Sequence, residues 1–271
     1  MPRSGGQTSW VVNLAVTGRY LRHWPYMTRW LWLFLVCTPL ASPQSYSLPS
    51  KETLSYDIEW RLVTAGKAQL QWVADPAPGR GGAVNLDVQS VGLVSKLFRV
   101  NDEYQSVVNA SFCAQSSRLS AEEGPRRRET RITFDGERRK AEYLERDLVK
   151  GTMVASREIE IPPCVHDVIG GVYYLRTLTL EPGQSAEVPV SDGKKSVMAK
   201  VEAQQREDIR TPDGVSKAVR YEIFLFDNVL FRRSAHLNVW LSDDRRKLPV
   251  QIRVRMPFTI GTITLHLVKH E

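Results

Sequence analysis

The chain has 271 residues, 42% of them hydrophobic and 25% charged, which is ordinary globular material and enough for one large domain. Its formal charge is +7, yet residues 1–45 hold four arginines and no acidic residue, so residues 46–271 carry 33 basic against 30 acidic groups. So small an excess excludes a general argument for a nucleic-acid partner.

Arg29 is followed by the apolar run Trp30 to Cys37 and then by Thr38-Pro39-Leu40-Ala41-Ser42-Pro43. A positive flank, a short apolar run and small residues form the layout of a secretory signal peptide. The run falls short of the roughly 20 residues that cross a bilayer. Met27 is the more typical start of such a leader, so initiation is expected there, with cleavage between Ala41 and Ser45. Cys37 follows Val36 and not a small residue, so a lipid anchor is not expected. The expected organisation is an extension and signal peptide over 1–45 and a single exported β-domain over 46–271, periplasmic or secreted.

Loss of the leader leaves two cysteines, Cys113 and Cys164. An even pair in an oxidising compartment predicts a disulfide, with two buried thiols as the alternative. The turn-like runs Ala114-Gln115-Ser116-Ser117 and Pro162-Pro163 beside them favour the bridge. Closing a loop of roughly 50 residues is worth roughly 4 kcal/mol in the chain-entropy model.

Along the domain, Thr53 to Leu62 and Lys67 to Ala74 read as strands joined by Val63-Thr64-Ala65-Gly66. Ala83 to Val91 reads as a third strand. Leu93 to Phe98 fits one helical turn, a plug over one end of a barrel, and Asp102 to Asn109 is again extended. Arg126 to Arg146 reads as a hairpin over Asp135-Gly136, pairing Phe134 with Glu137 and Ile132 with Arg139. Ile132, Phe134, Ala141 and Tyr143 then share one face and Arg127, Arg131, Arg138 and Lys140 the other. A solvated outer face explains that basic stripe; contact with anionic lipid headgroups or another envelope polyanion is the alternative.

Cys164 to Leu178 carries Val165, Val168, Ile169, Val172, Tyr173 and Leu175 at helical spacing, the one convincing helix of the chain. Gly170-Gly171 weakens it alone, so packing against a sheet is expected to hold it. Further hairpins are expected over Asp192-Gly193 and Asp213-Gly214, the latter leading into Ser216 to Phe226. Between Ser234 and Lys269 three alternating runs succeed one another: Leu237-Val239-Leu241, then Leu248 to Val254, then Ile263-Leu265-Leu267. Two-faced runs of this kind predict a mainly β fold. It is expected to be a single curved antiparallel sheet, half-barrel or up-and-down barrel, with one helix packed on or in it.

Among chemistry-bearing residues, neither His166-Asp167 nor the strand residues His236 and His266 make a spaced catalytic or metal set. No nucleophile or phosphate-cradling motif is present. No enzymatic activity, metal or cofactor is therefore expected. The aromatics are more suggestive. Trp60 and Trp72 on the first hairpin, Val172 and Tyr173 on the helix, Phe224 on a late strand and Trp240 on a closing one are the expected lining of an apolar cleft between sheet and helix.

The segments Tyr56 to Leu70 (YDIEWRLVTAGKAQL), Ser90 to Asn109 (SVGLVSKLFRVNDEYQSVVN), Asp167 to Gln184 (DVIGGVYYLRTLTLEPGQ) and Val239 to Ile252 (VWLSDDRRKLPVQI) resemble those of a family of exported bacterial proteins, domain of unknown function 3108. The resemblance implies no activity, cofactor or catalytic residue. The run from Trp240 through a turn to Leu248-Pro249-Val250 is also similar to a strand pair of periplasmic lipoprotein carriers, whose curved half-barrels hold an acyl chain.

Three readings follow. The first is a non-enzymatic periplasmic protein holding an apolar or lipid-like ligand between sheet and helix. The second is a structural or assembly factor of the envelope acting on a protein partner, and the third is an unrecognised hydrolase. Peripheral membrane contact is compatible with the first two, and oligomeric state does not follow from the sequence.

Overall fold

The structure, a computed structural model, describes residues 48–77, 79–224, 236–255 and 261–271, and only the backbone of His236. The expected signal peptide, with Met27 and Cys37, lies outside these residues, as do Leu225 and Phe226 of an expected strand.

The alternating runs become fourteen antiparallel strands in one sheet. The first eight are β1 (Lys51–Trp60), β2 (Val63–Ala74), β3 (Gly82–Ser90), β4 (Val100–Val108), β5 (Ala114–Glu123), β6 (Arg126–Asp135), β7 (Lys140–Asp147) and β8 (Thr152–Glu160). The other six are β9 (Ser185–Ser191), β10 (Ser196–Thr211), β11 (Gly214–Phe224), β12 (His236–Ser242), β13 (Pro249–Arg255) and β14 (Thr262–His270). Two helices accompany them among the described residues, α1 (Gly92–Leu97) and α2 (Val168–Thr177).

Each strand pairs with its sequence neighbours, with β8 and β9 as the one exception. The meander β1 to β8 runs outward in one direction and β9 to β14 in the other, and β14 comes back to pair with β1. That junction puts Leu267 opposite Tyr56 and Leu265 opposite Ile58. The sheet therefore stays open between β8 and β9, a seam bridged by the segment that carries α2. At one end of the seam that segment is stitched to both sides: Ala114 N donates to Val165 O at 2.8 Å, and His166 forms a parallel bridge with Val190.

The inner face is apolar because the alternation holds along most of the strands. Leu54 and Tyr56 of β1, Leu70 and Trp72 of β2, Val84 of β3 and Val108 of β4 are buried in one cluster with Ile169 and Tyr173 of α2. Leu175 of α2 joins a second cluster with Val201, Tyr221 and Val239, and Val165, just before the helix, joins a third with Ile132, Phe134 and Tyr143. One short helix segment thus touches all three, which is why a sheet this wide curls around it.

Several local expectations need correction. The first hairpin turns at Arg61-Leu62, both with positive φ, and Val63 to Gly66 belongs to β2, where Ala65 is the extra residue of a bulge. Ala114 to Ser117 starts strand β5 and is not a turn, and β8 was not foreseen, because its polar residues blur the period of two. In the β6–β7 hairpin Phe134 faces Ala141 and Ile132 faces Tyr143, so the loop is wider than Asp135-Gly136. The slip from the expected register is an even number of residues, so every side chain keeps its expected face. Helix α2 begins at Val168 and not at Cys164. Asp167 caps it, its Oδ1 accepting from Gly170 N at 2.9 Å. α1 is helical as expected but plugs nothing: Leu93 is 72% and Leu97 77% exposed.

The expected bridge between Cys113 and Cys164 is present, spanning 51 residues and tying the β4–β5 turn to the approach to α2. The expected close approach of sheet and helix is carried by Gly170, where a Cβ would lie 3.0 Å from Val108 Cγ1. Gly171 has no such constraint.

Candidate functional site

The expected aromatic lining divides in two. Trp72, Val172 and Tyr173 do come together, but as core. The Trp72 ring centroid is 5.6 Å from those of both Tyr173 and Phe112, and its Nε1 donates to Pro49 O at 3.1 Å. Tyr173 is fully buried, and its hydroxyl donates to Glu52 Oε2 at 3.3 Å.

Trp60, Phe224 and Trp240 are elsewhere. Trp60 ends β1 under the Arg61 guanidinium, and Phe224 ends β11, half-buried. Trp240 points away from Val239 and Leu241. It is buried on the opposite face of β12, donating to Glu207 Oε2 at 2.8 Å, with the Arg253 guanidinium over its ring. The far half of β10, bent by a bulge between Ala203 and Arg206, approaches β13 and β14, and Ile209 packs against Trp240's cluster.

Beside the filled aromatic core lies a buried ion pair. Arg176, on the last turn of α2, meets Glu52 through Nη2 at 2.8 Å and Nη1 at 2.5 Å, and Nη2 also donates to Arg246 O at 2.9 Å. Both side chains are almost wholly buried. The pair clamps α2 to β1 and to the β12–β13 turn. It has the shape of structural glue and leaves no room for a ligand.

Open space adjoins the other end of α2. A cavity of about 340 Å³ opens between the inner faces of β4 to β7, Val168 at the start of α2 and the β9–β10 turn. Leu119, Ala121, Ile132 and Val168 supply an apolar wall, and Tyr104 and Tyr143 supply rings with polar tips. Arg126, Arg128, Glu145 and Lys194 bring charge to the same surface. The β9–β10 turn can reach in because Gly193, at φ +78°, lies so close to Ile132 that a Cβ there would stand 2.8 Å from that side chain.

Glu145 is the electrostatic centre of this wall. It accepts from Arg128 Nη1 at 2.5 Å and Tyr143 OH at 2.7 Å, with Lys194 Nζ at 3.6 Å. Burial works to raise its pKa, but the hydrogen bonds from Tyr143 and Arg128 and the nearby positive charges prevail and hold the carboxyl below its usual range. Lys194 also sits 4.7 Å from the centre of the Tyr143 ring.

Just behind the cavity Asp167 is enclosed. Its Oδ2 accepts from Tyr104 OH at 3.2 Å, and burial pushes its carboxyl up to about 6 against the hydrogen bonds that lower it. His166 is turned away from it. Its Nδ1 is 2.7 Å from Phe112 O, its ring stacks on Tyr174, and burial lowers its pKa. His266 lies on the outer face, opposite Asp57 and 3.8 Å from Glu59. It pairs across the sheet with Gln251, and not with His236, which faces Arg255. Among the described residues no cluster of His, Cys, Asp or Glu is arranged to hold a metal ion, and no helix is long and apolar enough to cross a membrane.

The residues that make this cavity were readable in principle. Arg128 shares the parity of Ile132 and Phe134, and Glu145 that of Ala141 and Tyr143, so two charges occupy inward positions on otherwise apolar faces.

The model of a family of proteins of unknown function, DUF3108, matches residues 55–268. No curated protein matches the chain. Among solved structures, a beta-barrel-like protein of domain of unknown function DUF1849 from Brucella abortus is similar, with a TM-score of 0.53 at 8% identity over 82% of this chain and 97% of that one. A DUF1089 family protein from Pseudomonas aeruginosa aligns at a TM-score of 0.32 and 13% identity, over 84% of this chain and 95% of that one. The first likeness extends the barrel-like architecture to a second family.

Proposed function

This chain belongs to the DUF3108 family of proteins of unknown function, and from that premise we propose that it is a non-enzymatic cell-envelope protein that holds an apolar or lipid-like ligand between its curved sheet and α2. The carrying observation is the cavity of about 340 Å³ at the start of α2, with its apolar wall of Leu119, Ala121, Ile132 and Val168. Its size lies within the range of small-ligand sites, about 300–1,000 Å³. The ligand position is not the aromatic cleft read from the sequence, because Trp72, Phe112 and Tyr173 fill that space themselves.

Export supports the reading. The described fold carries a disulfide, which persists in oxidising compartments, and the N-terminal sequence has the layout of a leader. The non-enzymatic part rests on the site residues: His166 is engaged by Phe112 and Tyr174, and Glu145, the central carboxylate of the cavity wall, is held by Arg128, Tyr143 and Lys194.

The test is native mass spectrometry of the protein purified from its own envelope, beside a Leu119→Trp variant that fills the cavity. The reading expects a co-purified lipid-like mass that the variant loses; a bare chain in both cases counts against it.

One observation favours an assembly factor instead. Strand β8 leaves one edge of the sheet unpaired among the described strands, with Met153 and Val154 exposed on it. A bare chain that pulls down one envelope protein, and loses it on a Val154→Pro change, would decide for that alternative.

A further inference from the structure

The polar groups of the cavity are unevenly satisfied. Its acceptors are engaged: Glu145 takes Arg128, Tyr143 and Lys194, and the Oδ1 of Asp192 takes the backbone N–H groups of Lys194 and Lys195 at 2.8 and 2.9 Å. Only Glu123, at the exposed end of β5, departs from this.

One donor, in contrast, remains: Arg128 Nε is buried without a hydrogen-bond partner, and Arg128 lines the cavity. A buried donor left unpaired costs free energy that an incoming acceptor recovers. Arg128 and Lys194 both meet Glu145, and the wall as a whole carries three cations, Arg126, Arg128 and Lys194, against three carboxylates, Glu123, Glu145 and Asp192.

From this unpaired Nε–H, on an arginine that already holds a carboxylate within an apolar-walled cavity, we infer that the cavity selects an amphiphile with an oxyanionic head, a carboxylate or phosphate on an apolar chain. Arg128 is its direct anchor, and Glu145 is the internal occupant that the head displaces. The inference rests on the cavity being a ligand site, and it adds the chemistry of the ligand. The apolar chain lies against Leu119, Ala121, Ile132 and Val168. The head exchanges one carboxylate for another at Arg128 and gains the Nε–H that Glu145 leaves unused. Arginine suits the exchange because its planar fork offers donors to two oxygens at once. Lys194, on the β9–β10 turn, follows the charge from Glu145 to the head.

Binding of decanoate, decyl phosphate, monodecanoyl glycerol and inorganic phosphate to the full exported chain, measured by titration calorimetry, tests this. The two anionic amphiphiles are expected to bind about tenfold tighter than the glyceride, the scale of one charge-assisted hydrogen bond. Arg128→Gln abolishes that preference. Glu145→Gln, which removes the competing charge and keeps the size, tightens the anions several-fold and leaves the glyceride unchanged. Lys194→Met, at a half-exposed position that does not threaten folding, weakens the anions alone.

Equal binding of all three amphiphiles, unaltered by Arg128→Gln, overturns the headgroup inference and leaves the cavity reading standing. Inorganic phosphate binding as tightly as decyl phosphate overturns the amphiphile. If none of the probes binds, the headgroup inference and the cavity reading fall together.

Discussion

The two ends of α2 meet the same sheet face and finish differently. At its C-terminal end Trp72, Tyr173 and Phe112 stack, Arg176 and Glu52 pair, and the space is closed. At its N-terminal end Val168 looks over β5 to β7 across a cavity. The difference is one of reach. A helix of ten residues spans only about 15 Å, so it covers β1 to β4 and leaves the inner faces of β5 to β7 with Leu119, Ala121 and Tyr143 beside the charges of Arg128 and Glu145. Side chains from both helix and sheet complete a core where the helix is present, and a cavity remains where it is absent.

The largest effect that would break this contrast comes from the closed end. Glu52→Gln leaves Arg176 buried beside a neutral partner, and Trp72→Ala empties the centre of the stack; each is expected to cost about 3–5 kcal/mol in denaturant unfolding. If Glu52→Gln were neutral, the pair would not be the clamp on α2.

Next comes the tie between the ends. Replacing Cys113 and Cys164 by serine releases a constraint over 51 residues, an expected loss of roughly 4 kcal/mol on the chain-entropy model and at least about 2 in practice. The cavity end should loosen first, seen as faster amide exchange at Val165 and Val168 than at Tyr173.

A finer test is pH. The Asp167 carboxyl has its folded pKa raised to about 6 by burial. A raised folded pKa means the folded state binds the proton more tightly, so this contribution to stability is complete below the unfolded value near 4. It is lost as pH rises through about 6. Asp167→Asn keeps the cap and removes the titration. It should flatten the stability profile between about pH 4 and 6 and recover on the order of 2–3 kcal/mol at neutral pH. Asp102, whose pKa burial and the nearby Glu123 also raise to about 6, supplies the slope that remains.

The smallest effect is expected far from both ends. Leu93→Ser on exposed α1 should change stability by no more than about 0.5 kcal/mol. A larger loss would mean that α1 packs on something beyond the described residues.

Much of this fold was legible in the chain. Alternation is a local property of period two, so the inward faces of β6, β7 and β12 to β14 could be read from residues such as Ile132, Phe134, Val239 and Leu265 without knowing their partners. The disulfide followed from the two cysteines, Cys113 and Cys164, that remain once the leader-like segment is set aside, and Gly170 announced a helix lying close to a sheet.

Tertiary structure alone decided the rest, because it depends on pairs far apart in sequence. The joining of β14 to β1 sets the curl, and bulges such as that between Ala203 and Arg206 swing β10 across to bury Trp240. Whether Trp72 and Tyr173 would frame a cleft or fill it was a matter of volume, which periodicity does not carry. The meeting of Arg128 and Glu145 with Lys194 needed the β9–β10 turn to arrive from the opposite edge of the sheet. Local pattern determines which way a side chain points; only the assembled tertiary geometry determines what it finds there.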